Sequence, residues 1–379
     1  MCKFKDISQA FNKPFALILV TFVLAMMRIM PVYAAPVSTS QAATTESIER
    51  HDFGTDPSFY FLPKSAIDST EIPNIVLKAS DRAEEPLPYY QLAPNIYMFF
   101  GNIAEVDEFN RGWNGNAGFV VTSAGVVVID SLGTPKLGER MIATIKTVTQ
   151  QPIKYLILTH NQPDHSYGAI AFRRLGGVSI IGHIGTLDYI GSDQIDSSVA
   201  FRRTFIKEDM EGFKGVKPDI TIKGKRFSKY DLSAGEETFH IYNVGQHHSY
   251  GDLVVHLKEA DVLWISDLAF NQRTTFMGDG HSKQAIEAQD WILTRFAKTK
   301  LMMPGHGSAQ TSPFPMVTRT QSYMQRLRKF MLDAIANDVD IMQAVDQLDF
   351  KEWRDSRLYD LNHRTNANFV NRELELENF

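Results

Sequence analysis

Leu156-Ile157-Leu158-Thr159-His160-Asn161-Gln162-Pro163-Asp164-His165 is the stretch on which the reading of this chain turns. Its first half is a short apolar run of strand length, with the texture of a buried strand. Its second half is a tight polar loop in which alternate side chains and the final Asp-His pair can face one cavity. Imidazole and carboxylate are preferred nitrogen and oxygen donors for Zn²⁺, and also suit iron and manganese. Taken alone, the loop fits equally well a strand-to-helix connection whose histidines cap the next helix.

The other strand ends decide between these readings. His240-Ile241-Tyr242-Asn243-Val244-Gly245 runs into His247-His248, and Val262-Leu263-Trp264-Ile265-Ser266 ends at Asp267. Leu301-Met302-Met303-Pro304-Gly305 ends at His306. Donors on the ends of neighbouring strands converge at little cost in ordering, so a metal cluster is favoured over capping. Of the doublet, His248 is preferred as ligand and His247 as pocket wall. Asp267 could bridge two cations, and Asp130 and Asp252 could support a ligand imidazole or the motif loop. His183 is expected to pack at a strand end and His256 to be a hydrogen-bonded core residue. His281 sits in a loop that could overhang the site.

Further strands are expected at Gly118–Thr122, Gly125–Asp130 and Asp252–Leu257. Thr134-Pro135 opens a helix, with Thr as cap and Pro in its first position. Helices are also expected over 282–297 and through Met324, Leu327, Met331 and Ile335. Residues 190–215 lack a clear period and read as an insertion or lid. The alternation argues for a layered α/β domain over 93–310 with mixed sheets, followed by a helical extension over 311–379 that packs on it.

Residues 1–34 have the form of a cleaved signal peptide. Lys3, Lys5 and Lys13 precede the apolar stretch Phe15–Met27, and Val32-Tyr33-Ala34 offers a small-residue cleavage site. The expectation is a secreted or periplasmic protein with no stable membrane insertion after cleavage. Residues 35–92 read as a linker and loosely structured lead-in. Cleavage would move the formal charge from −5 to −8, which gives no reason to expect a nucleic-acid partner. The only cysteine, Cys2, would leave with the signal. Disulfides, thiolate ligands and a cysteine nucleophile are then excluded.

These motifs resemble the metallo-β-lactamase superfamily, with its His-x-His-x-Asp-His followed by a distant His, a bridging Asp or Cys and a last His. The resemblance implies a four-layer αββα sandwich with a site for one or two metal ions, usually zinc. Asn114-Gly115-Asn116-Ala117-Gly118-Phe119, Val128-Ile129-Asp130 and Met303-Pro304-Gly305-His306-Gly307 look most like the SoxH-like branch, which includes periplasmic quinoprotein-relay zinc metallohydrolases. So does the tail from Asn362-His363-Arg364 to Glu373-Leu374-Glu375-Leu376-Glu377. By analogy, site one would be His160, Gln162 and His248, site two Asp164, His165 and His306, with Asp267 bridging. Gln162 departs from the pattern, because a neutral amide is a poorer donor than imidazole, so site one should bind more weakly.

The implied chemistry is hydrolysis of an ester, thioester, lactone or amide in a small-molecule substrate, with Asp164 as ligand and as orienter or proton acceptor for the attacking water. A β-lactamase is a narrower alternative, and an alkylsulfatase or an iron-dependent sulfur oxygenase is compatible with the same motifs. A non-catalytic metal-binding accessory protein of an exported redox or sulfur pathway is the alternative from a different class. The sequence does not speak to oligomeric state.

Overall fold

The computed structural model describes residues 60–377. The expected signal peptide and the first part of the expected linker lie outside the described residues. Among those described, no helix is long and apolar enough to cross a membrane.

Two sheets stack face to face. The larger has seven strands in chain order: β3 (Tyr90–Ala93), β4 (Ile96–Phe99), β5 (Ala117–Thr122), β6 (Gly125–Ile129), β7 (Ile153–Ile157), β8 (Ser179–His183) and β9 (Ile220–Ile222). Pairing is antiparallel from β3 to β6 and parallel from β6 to β9. The smaller has five: β10 (Lys229–Ala234), β11 (Glu237–Gly245), β12 (Asp252–Leu257), β13 (Val262–Ser266) and β14 (Leu301–Pro304). Only its last pair, β13 with β14, is parallel. A ribbon of β1 (Tyr60–Phe61) and β2 (Asn74–Ile75) precedes them.

The period of two in the strands builds the layers. In β6, Val127 and Ile129 enter the core between the sheets, while Val126 and Val128 face the outer layer. In β13, Val262 and Trp264 point inward, and Leu263 and Ile265 outward. A strand buried on both faces needs a cover on each, and helices supply it. Helix α1 (Pro135–Val148) covers the seven-stranded sheet with Leu137, Met141, Ile142 and Ile145. Thr134 Oγ1 caps it by accepting from the Leu137 amide, as expected from the sequence. The short α2 (Pro163–Ser166) and α3 (Ala169–Leu175) follow β7, and Phe172 of α3 joins the same layer. After β8 come α4 (Gly185–Ile190) and α5 (Asp193–Ile206).

On the far side, α6 (Ser282–Arg295) lays Ala288 and Ile292 on the five-stranded sheet, beside Met316 and Val317 of α7 (Pro315–Ala336). The rest of α7 packs with α8 (Ile341–Gln347) and α9 (Tyr359–Glu377) around Leu327, Met331, Val370 and Leu374. This is the expected mixed α/β architecture, a four-layer αββα sandwich. Two segments differ from expectation. Residues 190–215 contain a regular helix, α5. The described part of the lead-in is not loose, since Ile75, Leu77 and Leu87 are buried in the outer core and β3 forms the sheet edge. Its apolar anchors are too scattered among Pro and charge to show a period.

Candidate metal centre and its cavity

The donor-bearing strand ends meet at one edge of the sandwich. Asp130 follows β6, His160 follows β7, and α2 carries Asp164 and His165; His248 follows β11, Asp267 follows β13 and His306 follows β14. Asp130 and Ser266 both take left-handed backbone, with φ of 60° and 45°. Such values are rare outside glycine and mark positions where the fold redirects the chain.

Asp267 stands at the centre, buried. Its Oδ2 lies 3.1 Å from His248 Nε2, 3.3 Å from His306 Nε2 and 3.9 Å from His160 Nε2, and its Oδ1 lies 3.4 Å from His165 Nε2. Asp164 Oδ2 is 3.4 Å from His306 Nε2 and 3.9 Å from His165 Nε2. The close approach needs Gly305, because a Cβ there would fall 1.9 Å from Asp267 Oδ1.

The outer contacts fix which nitrogen faces inward. His165 Nδ1 is 3.0 Å from Asp130 Oδ2, and His306 Nδ1 is 3.0 Å from the Asn114 carbonyl. His160 Nδ1 is 3.1 Å from Thr159 Oγ1 and 3.3 Å from Ser266 Oγ. A proton donated outward from each Nδ1 leaves each Nε2 as a lone pair turned to the cluster. His165 and His306 then set two lone pairs 3.4 Å apart. His160 Nε2 and Asp267 Oδ1 are buried without a hydrogen-bond partner. Converging lone pairs beside carboxylates, with orphaned donors among them, fit a divalent cation.

Charge points the same way. Burial pushes the His165 imidazole down, but Asp267, Asp164 and the Asp130 hydrogen bond outweigh it and raise it to about 9. The surround therefore favours positive charge there. Burial, then the His165 charge, lowers His160 to about 3, which keeps it a neutral donor. Burial opposes ionisation of Asp164 and Asp267, yet the neighbouring histidines hold both well below the usual carboxylate range.

The structure brings together His160, Asp164, His165, His248, Asp267 and His306. The donor atoms of Asp164, His165 and His306 lie within 4.8 Å of one another, and so do those of His160, His165 and Asp267. Gln162, the amide of the expected weaker site, stands two residues before Asp164. It precedes α2 half-buried on the wall of an adjoining cavity, and its side chain makes no hydrogen bond among the described residues. His247 turns its Nδ1 to Asp252 Oδ2 at 3.0 Å, while the same carboxylate accepts from the amides of His248 and Ser249. His281 turns its Nδ1 to Glu373 of α9 at 2.7 Å, while Gly280 of its loop packs against His247 and His248 and Asp279 lines the adjoining cavity. His183 ends β8, and His256 pairs with Asp261.

The adjoining cavity encloses about 570 Å³. It is lined by Asn114, Gln162 and Asp164, by α5 through Arg202, and by Arg273 and Phe276. Sequence reasoning missed Asn114 Nδ2, which donates to Asp164 Oδ2 at 2.9 Å, and Ser266 behind His160. It also missed Arg202 and Arg273. Nothing local marks these side chains, since each acts across a long sequence separation.

Comparison with known proteins agrees with this geometry. The family model described as Metallo-beta-lactamase superfamily matches residues 110–306. No curated protein matches the chain. Among solved structures, the stereoselective inverting sec-alkylsulfatase Pisa1 from Pseudomonas sp. is similar, with a TM-score of 0.61 at 14% identity over 79% of this chain. The chain spans 50% of that protein's length. A metallo-beta-lactamase from Pontibacter korlensis is also similar, with a TM-score of 0.48 and 20% identity, over 63% of this chain and 99% of that one.

Proposed function

The chain belongs to the metallo-β-lactamase superfamily, and on that premise we propose that it is an exported metal-dependent hydrolase cleaving an ester, thioester, lactone or amide bond of a small molecule. The observation that carries this reading is Asp267 among four inward-turned imidazoles, beside a cavity large enough for such a substrate, which Asp164 lines. Zinc is the metal these residues would hold, Asp164, His165 and His306 at the stronger site and His160, Gln162 and His248 at the weaker, with the Asp267 carboxylate available to either. A bound cation of this kind supplies Lewis acidity, making water more acidic and polarising the scissile carbonyl.

The chain's own groups would do the rest. Asn114 holds Asp164 by one oxygen, so the carboxylate keeps a fixed direction on the cavity wall. Held ionised, Asp164 can accept the proton of the attacking water at its carboxylate. As the bond to the leaving group breaks, it can return that proton to the leaving oxygen, sulfur or nitrogen. Asp130 keeps His165 in the tautomer that points Nε2 inward. The Asn114-Gly115-Asn116 and Met303–Gly307 stretches support the SoxH-like branch within the superfamily.

Gln162 favours a second reading, a metal-binding accessory protein, because an amide stands where the family pattern has an imidazole. A panel of 4-nitrophenyl esters, thioesters, lactones and β-lactams assayed with wild-type and Asp164→Asn protein separates the two. Turnover of at least one class, lost in the variant, supports the hydrolase. No turnover by wild-type protein of verified metal content favours the accessory protein.

A further inference from the structure

Arg202 of α5 is 5% exposed, yet none of its guanidinium nitrogens has a hydrogen-bond or ion-pair partner among the described residues, and its Nη1 is fully buried. Its guanidinium carbon lies 5.6 Å from the Tyr167 ring centroid, a contact that leaves the edge of the fork free. The chain makes room for the group: a Cβ at Gly112 or at Gly133 would come within 3.3 Å of Nη1. A buried cation without a counter-ion is costly and is retained where something pairs with it.

The surroundings show what is missing. Arg202 lines the same cavity as Asp164. Asp164 feels the Arg202 charge, but Asn114 and His306 hold its Oδ2 and it forms no direct ion pair with the guanidinium. Arg273, on the cavity wall, has a side chain 8% exposed and an orphaned Nε. Its Nη1 lies 3.2 Å from His306 Nε2 and 2.8 Å from Nδ1, whose own proton faces the Asn114 carbonyl, and its Nη2 lies 3.8 Å from Glu105, whose carboxylate is half exposed. The cavity's remaining acid, Asp279, is raised by its own burial and by Asp252. Two buried guanidinium groups thus border one cavity beside the candidate metal cluster, each with unsatisfied N–H donors. A guanidinium fork matches the planar or tetrahedral oxygens of a carboxylate, sulfate or phosphate.

We propose that Arg202, with Arg273 beside it, binds an oxyanion carried by the substrate, so that the enzyme acts on anionic small molecules in preference to neutral ones. The inference rests on the hydrolase reading for the words "substrate" and "enzyme", but not for the anion site itself. Arg202 is here a substrate-binding residue, and the bond cleaved remains the one at the metal cluster.

The test uses metal-loaded protein and two esters of matched length, neutral 4-nitrophenyl butyrate and anionic mono-4-nitrophenyl succinate. The proposal expects a lower KM for the succinate ester in wild type. Arg202→Met should raise that KM about tenfold more than the KM for the butyrate ester, with Arg202→Lys in between. Calorimetric titration with sodium sulfate, against sodium chloride at equal ionic strength, supplies a readout independent of turnover. Wild type should bind sulfate and Arg202→Met should bind it at least about tenfold more weakly. Sulfate binding lost in the variant, with neither ester hydrolysed, upholds the anion site and sinks the hydrolase. Equal KM changes for both esters, or sulfate binding that is absent or indifferent to Arg202, overturns the anion site and shows Arg202 to be a packing group on Tyr167. Should Arg202→Met fail to fold, the wild-type ester preference and the Arg202→Lys titration decide in the same sense.

Discussion

Asp130 belongs to no inward-facing donor set, yet it holds His165 Nδ1 at 3.0 Å and accepts from the Thr159 amide and hydroxyl. It ties two arms of the motif together from behind. Asp130→Asn replaces that carboxylate with a neutral amide and should weaken metal binding about 10–100-fold, measured by chelator competition. Unchanged affinity would show that His165 is oriented by something else. Gln162→His places imidazole at the weaker site and should raise the metal bound per chain; an unchanged content would show that position 162 contributes no donor. The inward-facing donors were legible in the sequence because each follows an apolar run that had to end at a sheet edge. Asn114, Ser266 and Arg273 were not, because their roles exist only once distant segments meet.

At the scale of elements, α5 shows why part of the chain resisted reading. Its buried face is Ile195, Val199, Arg202 and Ile206, a helical stripe with a charge in its third place. Function interrupts the pattern at the residue that matters, and local rules fail most often at such places. The pairing of α7 with α9 carries a different consequence. His363 is buried between them, and its Nδ1 accepts from the Tyr323 hydroxyl at 2.9 Å, while Asn366 donates to that same hydroxyl. Burial lowers the His363 imidazole from 6.5 to about 4, so it is neutral in the fold. The unfolded chain therefore binds its proton first as pH falls. The stability linked to this histidine is fully present above pH 6.5, is lost progressively between 6.5 and about 4, and is constant below. Thermal melts across this window should fall more steeply for wild type than for His363→Gln. Parallel slopes would refute the assignment.

The described residues form a sandwich whose two sheets bring their donor-bearing ends to one edge, with helices sealing both outer faces. Its layers could be anticipated from β-branched runs bounded by glycine, and the strands at Asp252–Leu257 and Val262–Ser266 form as expected. The C-terminal helices add a core of their own rather than a loose tail. Leu327, fully buried there, should cost about 2–5 kcal/mol when changed to Ala, read as a drop in unfolding midpoint; a loss below that range would show the layer to be dispensable. The same helices bring Asn362 and Thr365 to the cavity wall, so the extension shapes the site as well as covering the sheet. The central claim, that the cluster around Asp267 holds metal, is tested most directly by elemental mass spectrometry of the purified protein beside Asp267→Ala. The account predicts about one to two equivalents of divalent metal in wild type, with most of it lost from a variant that still melts cooperatively. Wild-type protein that neither carries nor takes up metal, or a variant that keeps its full complement, would contradict it.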